Sequence, residues 1–267
     1  MPMDEQVVYV YGVVAKPLDL SSAPCGLDDS AVSTEEENGL MALCSLLDAR
    51  TYTGGEAESR AGDVEWIGPR AVAHDAVLTW ASDLADVVPF PMLTLFSSAA
   101  SVRAMLRERR GALLETLERV EGAREYSLRV FQSAGPAYEG ALAGRSPEVV
   151  ELESRVAAAT PGQRYLLERK LEKARREERL LAGTSVASEV AATLSAHAAG
   201  IVRSPLPASS SGSDGRAVLD ASFLVKRDRA EGFGAAVGAL AQRHEPCGFR
   251  FEFTGPWPAY HFARTGD

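Results

Sequence analysis

Val7–Val14 reads VVYVYGVV, an apolar run broken only by a glycine and two tyrosine hydroxyls. β-Branched and aromatic residues concentrated in so short a stretch predict a buried strand. From Lys16 to about Thr34 the chain is rich in Ser, Pro, Gly and Asp, which predicts loop. Ser33-Thr34-Glu35-Glu36-Glu37 has the composition of a helix start, with hydroxyls to cap the first amides and acids to suit the helix dipole. Leu40, Leu43, Leu46 and Leu47 follow at helical spacing. Asp63–Ile67 predicts a short strand. Pro69 then suits the first turn of a helix whose apolar face is Val72, Ala76, Val77 and Trp80. Val87–Phe96 (VVPFPMLTLF) is apolar, but Pro89 and Pro91 remove two ladder donors. This strand is therefore expected to be short, bulged or at an edge. Ser97 or Ser98 can cap the next helix, which carries Leu106, Leu113, Leu114 and Leu117 on one face and ends at Gly122.

Arg124–Phe131 (REYSLRVF) alternates polar and apolar, as a half-buried strand does. From Pro147 to about Gly200 the pattern is helical, interrupted at Thr160-Pro161-Gly162. Within it Gln163–Leu181 is dense in charge. Glu172 precedes Arg176 by four residues, the favourable order for a helical pair, and the run reads as a solvated face or a partner-helix surface. Ser204–Gly215 is loop-like. Ala217–Val225 predicts a strand, Glu231–Ala241 a helix with Phe233, Val237 and Leu240 inward, and Phe249–Phe253 a strictly alternating strand. Strands and helices interleaved over both halves predict an α+β protein of two sheets, each with helices packed on one face. The expected division is 1–122 and 123–267, with a helical insertion at about 147–200 and a flexible loop at about 204–215.

Composition narrows the function classes. The chain has 267 residues, enough for two domains, with 46% hydrophobic and 24% charged residues. A formal net charge of −9 argues against a phosphate-backbone binder, so no nucleic-acid partner is expected. Cys25, Cys44 and Cys247 are an odd, widely spaced set and do not form a disulfide framework. The acidic start MPMDEQ lacks the basic residues of a secretory signal, and no apolar stretch reaches the ~18 residues that span a bilayer. These features lead to the expectation of a soluble cytoplasmic protein without a lipid-membrane partner.

Catalytic chemistry finds little support. His74, His197, His244 and His261 have no second ligand at i+4, so no metal is expected. No cysteine or histidine has a local partner that would make it a nucleophile, and Asp28-Asp29 and Glu35–Glu37 read as solvated loop and helix start. Neither G-x-x-x-x-G-K-[ST] nor G-x-G-x-x-G occurs, and no cofactor is expected.

Four segments together carry a resemblance. VVYVYGVV is followed by a long loop. VVPFPMLTLF is similar to a segment that often reads VLPMRFGTVF. Thr160-Pro161-Gly162-Gln163-Arg164-Tyr165-Leu166 resembles an S-P-G-x-x-Y-L helix start. Thr254-Gly255-Pro256-Trp257-Pro258-Ala259-Tyr260-His261-Phe262 is similar to a near-terminal T-G-P-W-P-P-Y-S-F. Together they resemble the gas vesicle protein F/L family, and the resemblance spans about Val7 to Phe262. The chain departs from the family pattern at Pro91 and Leu93, where Arg and Gly are common, and at Ala259 and His261, which replace Pro and Ser.

The resemblance implies two ferredoxin-like domains and a non-enzymatic minor gas vesicle protein. Its expected partners are the major, GvpA-like hydrophobic shell protein and other minor gas vesicle proteins. It would act during nucleation or assembly and possess no cofactor. Two alternatives stand beside it: a small-molecule or nucleotide-binding enzyme on a ferredoxin-like scaffold, and an adaptor that links several minor proteins through Gln163–Leu181. Candidate contact residues are Phe90, Met92, Leu95 and Phe96, then Tyr165, and then Trp257, Tyr260 and Phe262 on the stiff backbone set by Pro256 and Pro258. For the last group the structural reading is that the aromatics fasten the chain end to the second domain's core. The functional reading is an aromatic anchor for the shell protein.

Overall fold

The computed structural model describes residues 6–60, 62–133, 146–206 and 215–263. The N-terminal residues before Gln6 and residues 207–214 of the serine-rich loop lie outside them. The chain divides into two compact units. The first runs to Glu125 and resumes at Gly255; the second is Tyr126–Thr254. The C-terminal motif, expected with the second domain, thus belongs to the first unit from Gly255 onward.

The first unit is built around β1 (Gln6–Val14), which pairs antiparallel with β3 (Leu40–Asp48); β3 in turn pairs with β2 (Ser33–Glu37). On its other side β1 meets two short pieces, β4 (Val88–Pro89) and β5 (Leu95–Phe96). The two prolines therefore break the Val87–Phe96 strand into two. β1 is buried on both faces, because this sheet carries helices on both sides rather than one. Tyr9 and Tyr11 pack in a cluster with Val77, Leu78 and Ala81 of α3 (Val64–Leu84). Val8 and Val10 pack with Val102, Leu106, Leu113 and Leu117 of α4 (Ala99–Glu108) and α5 (Arg110–Val120). A bulge between Val10 and Gly12 lets the strand change phase. At Gly12 a Cβ would stand 2.7 Å from the Val88 carbonyl oxygen and 3.0 Å from Leu78, so only glycine fits.

Three expectations fail here for identifiable reasons. Ser33–Leu47 forms a β-hairpin, not a helix. Asn38 and Gly39 adopt φ of 52° and 80°, the left-handed pair of a two-residue hairpin turn, with Glu37 opposite Leu40. Glu35 and Glu37 are ion-paired with Arg103 and Arg107 of α4 instead of capping a helix. Asp63–Ile67 is the start of α3, where the Asp63 side chain accepts from the Glu65 amide at 2.9 Å, and Pro69 lies inside that helix. The buried face of α3 is His74, Val77, Leu78, Ala81 and Ser82, so Val72 and Ala76 point away from the core. Short helices α1 (Ala49–Tyr52) and α2 (Gly55–Arg60) precede α3. Ser98 caps α4 with Ser101 in a reciprocal box, as expected for one of the two serines.

The second unit holds a sheet ordered β7 (Gly200–Arg203), β8 (Arg216–Lys226), β6 (Ala123–Gln132) and β9 (Phe249–Trp257). The sequence pattern misses β7, whose few residues follow directly on a long helix. The core joins Leu128, Val130, Phe223 and Val225 to Phe233 and Val237 of α8 (Ala230–His244), and to Val186, Val190 and Leu194 of α7 (Pro161–Ser195). The other half of α7 packs separately, Leu171 and Ala174 against Val149 and Leu152 of α6 (Pro147–Ala157). The protein is therefore α+β throughout, with two sheets and helices laid on them.

Candidate functional site

Helix α3 has apolar residues on two sides, and only one side can cover β1. On the other, Val72 is 71% exposed. Ala71, Val72, Ala76, Thr79 and Trp80 line a groove of about 840 Å³ with Ser22 and Pro24, which the Trp80 indole holds by donating from Nε1 to Ser22 Oγ at 3.2 Å. Asp75 and Asp83 complete the lining, which contains no Lys, Arg, His or Cys. The groove is apolar in its floor and acidic at its rim. It offers no nucleophile–base pair and no cation for phosphate. Among the described residues no three His, Cys, Asp or Glu side chains come together as a metal site. The sequence reading placed Val72 and Ala76 on the core-facing side. The signal that corrects it is the i, i+3, i+4, i+7 row His74, Val77, Leu78, Ala81, in which a histidine takes a core position.

His74 connects α3 to two of the motif segments. The Tyr9 hydroxyl lies 2.7 Å from His74 Nδ1 and accepts from the Leu93 amide at 3.3 Å. Burial pulls His74 down to about 4, against an upward contribution from the Phe90 backbone. The ring is then neutral, with Nδ1 accepting from Tyr9, whose own pKa burial raises. Tyr260 stacks on His74 with centroids 6.4 Å apart and donates to Asp75 at 3.2 Å. Burial first, and then the Asp75 charge, raise the Tyr260 pKa and keep its phenol a donor.

The C-terminal motif is a clasp within the first unit. Glu125, 2% exposed, receives the His261 amide at 2.8 Å on one oxygen and lies 2.6 Å from His261 Nδ1 on the other. Arg119 donates to the Phe262 carbonyl at 3.1 Å, and Phe262 and Ala263 are buried. His261 is thus the partner of a buried carboxylate. Trp257 is 37% exposed.

The other candidates separate by burial. Phe90 is buried, with its amide donating to the Tyr11 carbonyl at 2.9 Å. Leu95 and Phe96 pair with Tyr9 and Val8, and both are half-buried, as is Met92. The Val87–Phe96 segment therefore completes the sheet. Tyr165 lies on the open side of α7 and is 62% exposed, its hydroxyl accepting from Arg169 at 3.2 Å; Leu166 beside it is 64% exposed. On α3 itself, Arg70 stacks on Trp66 at 4.2 Å and pairs with Asp28 at 2.7 Å. Asp28, expected to be solvated, is an ion-pair partner.

A family model described as "Gas vesicle synthesis protein GvpL/GvpF" matches residues 7–264. The chain is 28% identical to gas vesicle protein L of Streptomyces sp. (strain CB03234), over 98% of this chain and 95% of that one. It is 26% identical to gas vesicle protein L1 of Halobacterium salinarum, over 96% and 89%. Its fold is similar to the crystal structure of the gas vesicle protein GvpF from Anabaena sp. PCC7120, with a TM-score of 0.70, 16% identity and 98% coverage of both chains.

Proposed function

This chain belongs to the GvpL/GvpF family of gas vesicle synthesis proteins, and on that footing we propose that it is needed for vesicle formation and binds the hydrophobic shell protein during nucleation or assembly. The observation that carries the reading is the outward apolar side of α3. A shell that excludes water must be built from subunits with an exposed apolar face, and such subunits aggregate unless the face is covered. The groove floor of Ala71, Val72, Ala76 and Trp80 offers a place for a segment of that face. A net charge of −9 favours a dispersed complex. No helix among the described residues is long and apolar enough to cross a membrane. Cytoplasmic placement in association with the vesicle, retention in the shell and contact with other minor vesicle proteins belong to the same proposal, with Trp257 and Tyr165 as exposed aromatic contacts.

The test is reconstitution of a gas vesicle gene cluster lacking its own copy of this protein, scored by turbidity that collapses under pressure. Adding back the wild-type chain is expected to restore the signal. A Val72→Asp/Ala76→Asp variant, folded as judged by its urea midpoint, is expected not to restore it. Full rescue by that variant would remove the groove from the mechanism, and an undiminished signal without the chain would remove the role itself.

A further inference from the structure

The two units differ sharply in charge. The first carries 11 Lys and Arg against 22 Asp and Glu, a net of −11; the second carries 17 against 15, a net of +2. The basic excess of the second is concentrated on α7. Leu171 and Ala174 face α6, so the opposite side of the helix presents Leu166, Lys173, Arg176 and Leu180, with Lys170 on its flank, all exposed. Lys173 reaches Glu177 at 3.7 Å, while Lys170 and Arg176 reach no carboxylate among the described residues. Glu168 and Glu178 fall off this side of the helix, Glu172 borders it one turn before Arg176, and Glu177 lies on it as the partner of Lys173. The three cations span six residues, or ~9 Å of helix.

A matching row exists on the first unit. Glu115 and Glu118 stand on the outer side of α5 and Glu121 directly after its end, at three-residue intervals and all exposed, over a similar ~9 Å. The carboxylates of Glu115 and Glu118 have no cation among the described residues. Leu114 lies half-buried between them and Gly111 has open space above it, so a helix can approach closely. Leu114, Leu117, Asp86, Glu118 and Glu121 share a groove in which Lys16 is the one opposing charge.

We propose that the basic side of α7 docks on the acidic side of α5 in a second copy of this chain. The two surfaces differ, so the contact is head-to-tail and need not close on itself. The apolar ends Leu166 and Leu180 favour a protein surface over a nucleic-acid backbone, which a chain of net charge −9 would also repel. Exposed ion pairs are individually weak and salt-screened, so the association is concentration-dependent and lost at high ionic strength.

Light scattering of the full chain tests this. The average mass is expected to rise above the monomer's between about 1 and 100 μM in 50 mM salt, and to return to it in 500 mM salt, where the Debye length is only several ångströms. Lys170→Glu/Lys173→Glu/Arg176→Glu alone and Glu115→Lys/Glu118→Lys alone are each expected to weaken self-association at least tenfold. An equimolar mixture of the two variants should regain it, because one supplies an intact α5 and the other an intact α7. A monomer throughout the low-salt range overturns the proposal. Self-association that survives the α7 reversal, or a mixture that stays monomeric, overturns it as well.

Discussion

Two motif segments of similar sequence character end in opposite environments. Trp257–Phe262 and Tyr165–Leu166 both place aromatic or large apolar residues beside a proline-containing turn. The first folds into a clasp with Phe262 buried, Tyr260 against His74 and His261 on Glu125. The second leaves Tyr165 and Leu166 more than 60% exposed on a helix. What separates them is the neighbourhood. The buried Glu125 carboxylate and the His74 ring meet the C-terminal segment, whereas Tyr165 and Leu166 lie exposed on α7. Recognisable sequence therefore marks scaffold in one place and free surface in the other. The same distinction divides α3, where His74 is structural and Val72, two residues away, is not.

The largest expected effect breaks the comparison directly. Phe262→Ala removes a buried ring and should cost ~3–5 kcal/mol in urea unfolding, whereas Tyr165→Ala should cost under ~0.5 kcal/mol. Equal losses would mean that the α7 segment is part of the scaffold after all. The next test uses pH. His74 is held neutral with a pKa of about 4, below its ordinary value near 6.5. The unfolded chain therefore binds a proton more readily between those values. Stability is full above pH 6.5 and declines as pH falls toward 4, by about 3 kcal/mol from this group. His74→Gln should flatten that part of the pH–stability curve; an unchanged slope would place the titration elsewhere. Glu125→Gln keeps the shape of the clasp but puts an amide NH₂ or a weaker acceptor opposite His261. It should cost ~1–3 kcal/mol. If Glu125→Gln is silent, His261 is not what fastens the chain end.

Much of the scaffold is legible from the chain. β1, the capped start of α4, the break at Thr160-Pro161 and the alternation of β9 all follow from local patterns. The misreadings share a physical origin. Ser33–Leu47 satisfies helix composition and spacing, yet Asn38-Gly39 supplies a hairpin turn and Arg103 and Arg107 supply partners for the acids, and those arginines are distant in sequence. On α3 the apolar residues surround the helix, so periodicity alone cannot choose the buried side. The clasp is illegible for another reason. Nothing near Glu125 in sequence announces that its carboxylate will be buried and met by residue 261. The groove follows the same rule, because Ser22 and Pro24 join α3 only through the tertiary fold.

The smallest effect is the most local. Leu93 has φ of +64°, a conformation unfavourable for a side chain with a Cβ by ~1–2 kcal/mol. Its amide donates to Tyr9, which in turn holds His74 beneath Tyr260. Leu93→Gly relieves the strain, but it removes a partly buried side chain and frees the unfolded backbone. These terms oppose one another, so the net change should lie within ~1 kcal/mol of zero. Leu95→Gly removes the same side chain two residues on, in a strand residue paired with Tyr9, where there is no positive φ to relieve. It should cost ~2 kcal/mol or more. Urea midpoints of the two variants read the difference directly. If both lose the same amount, the left-handed backbone at Leu93 carries no cost, and the turn that presents its amide to Tyr9 is held by the surrounding side chains alone.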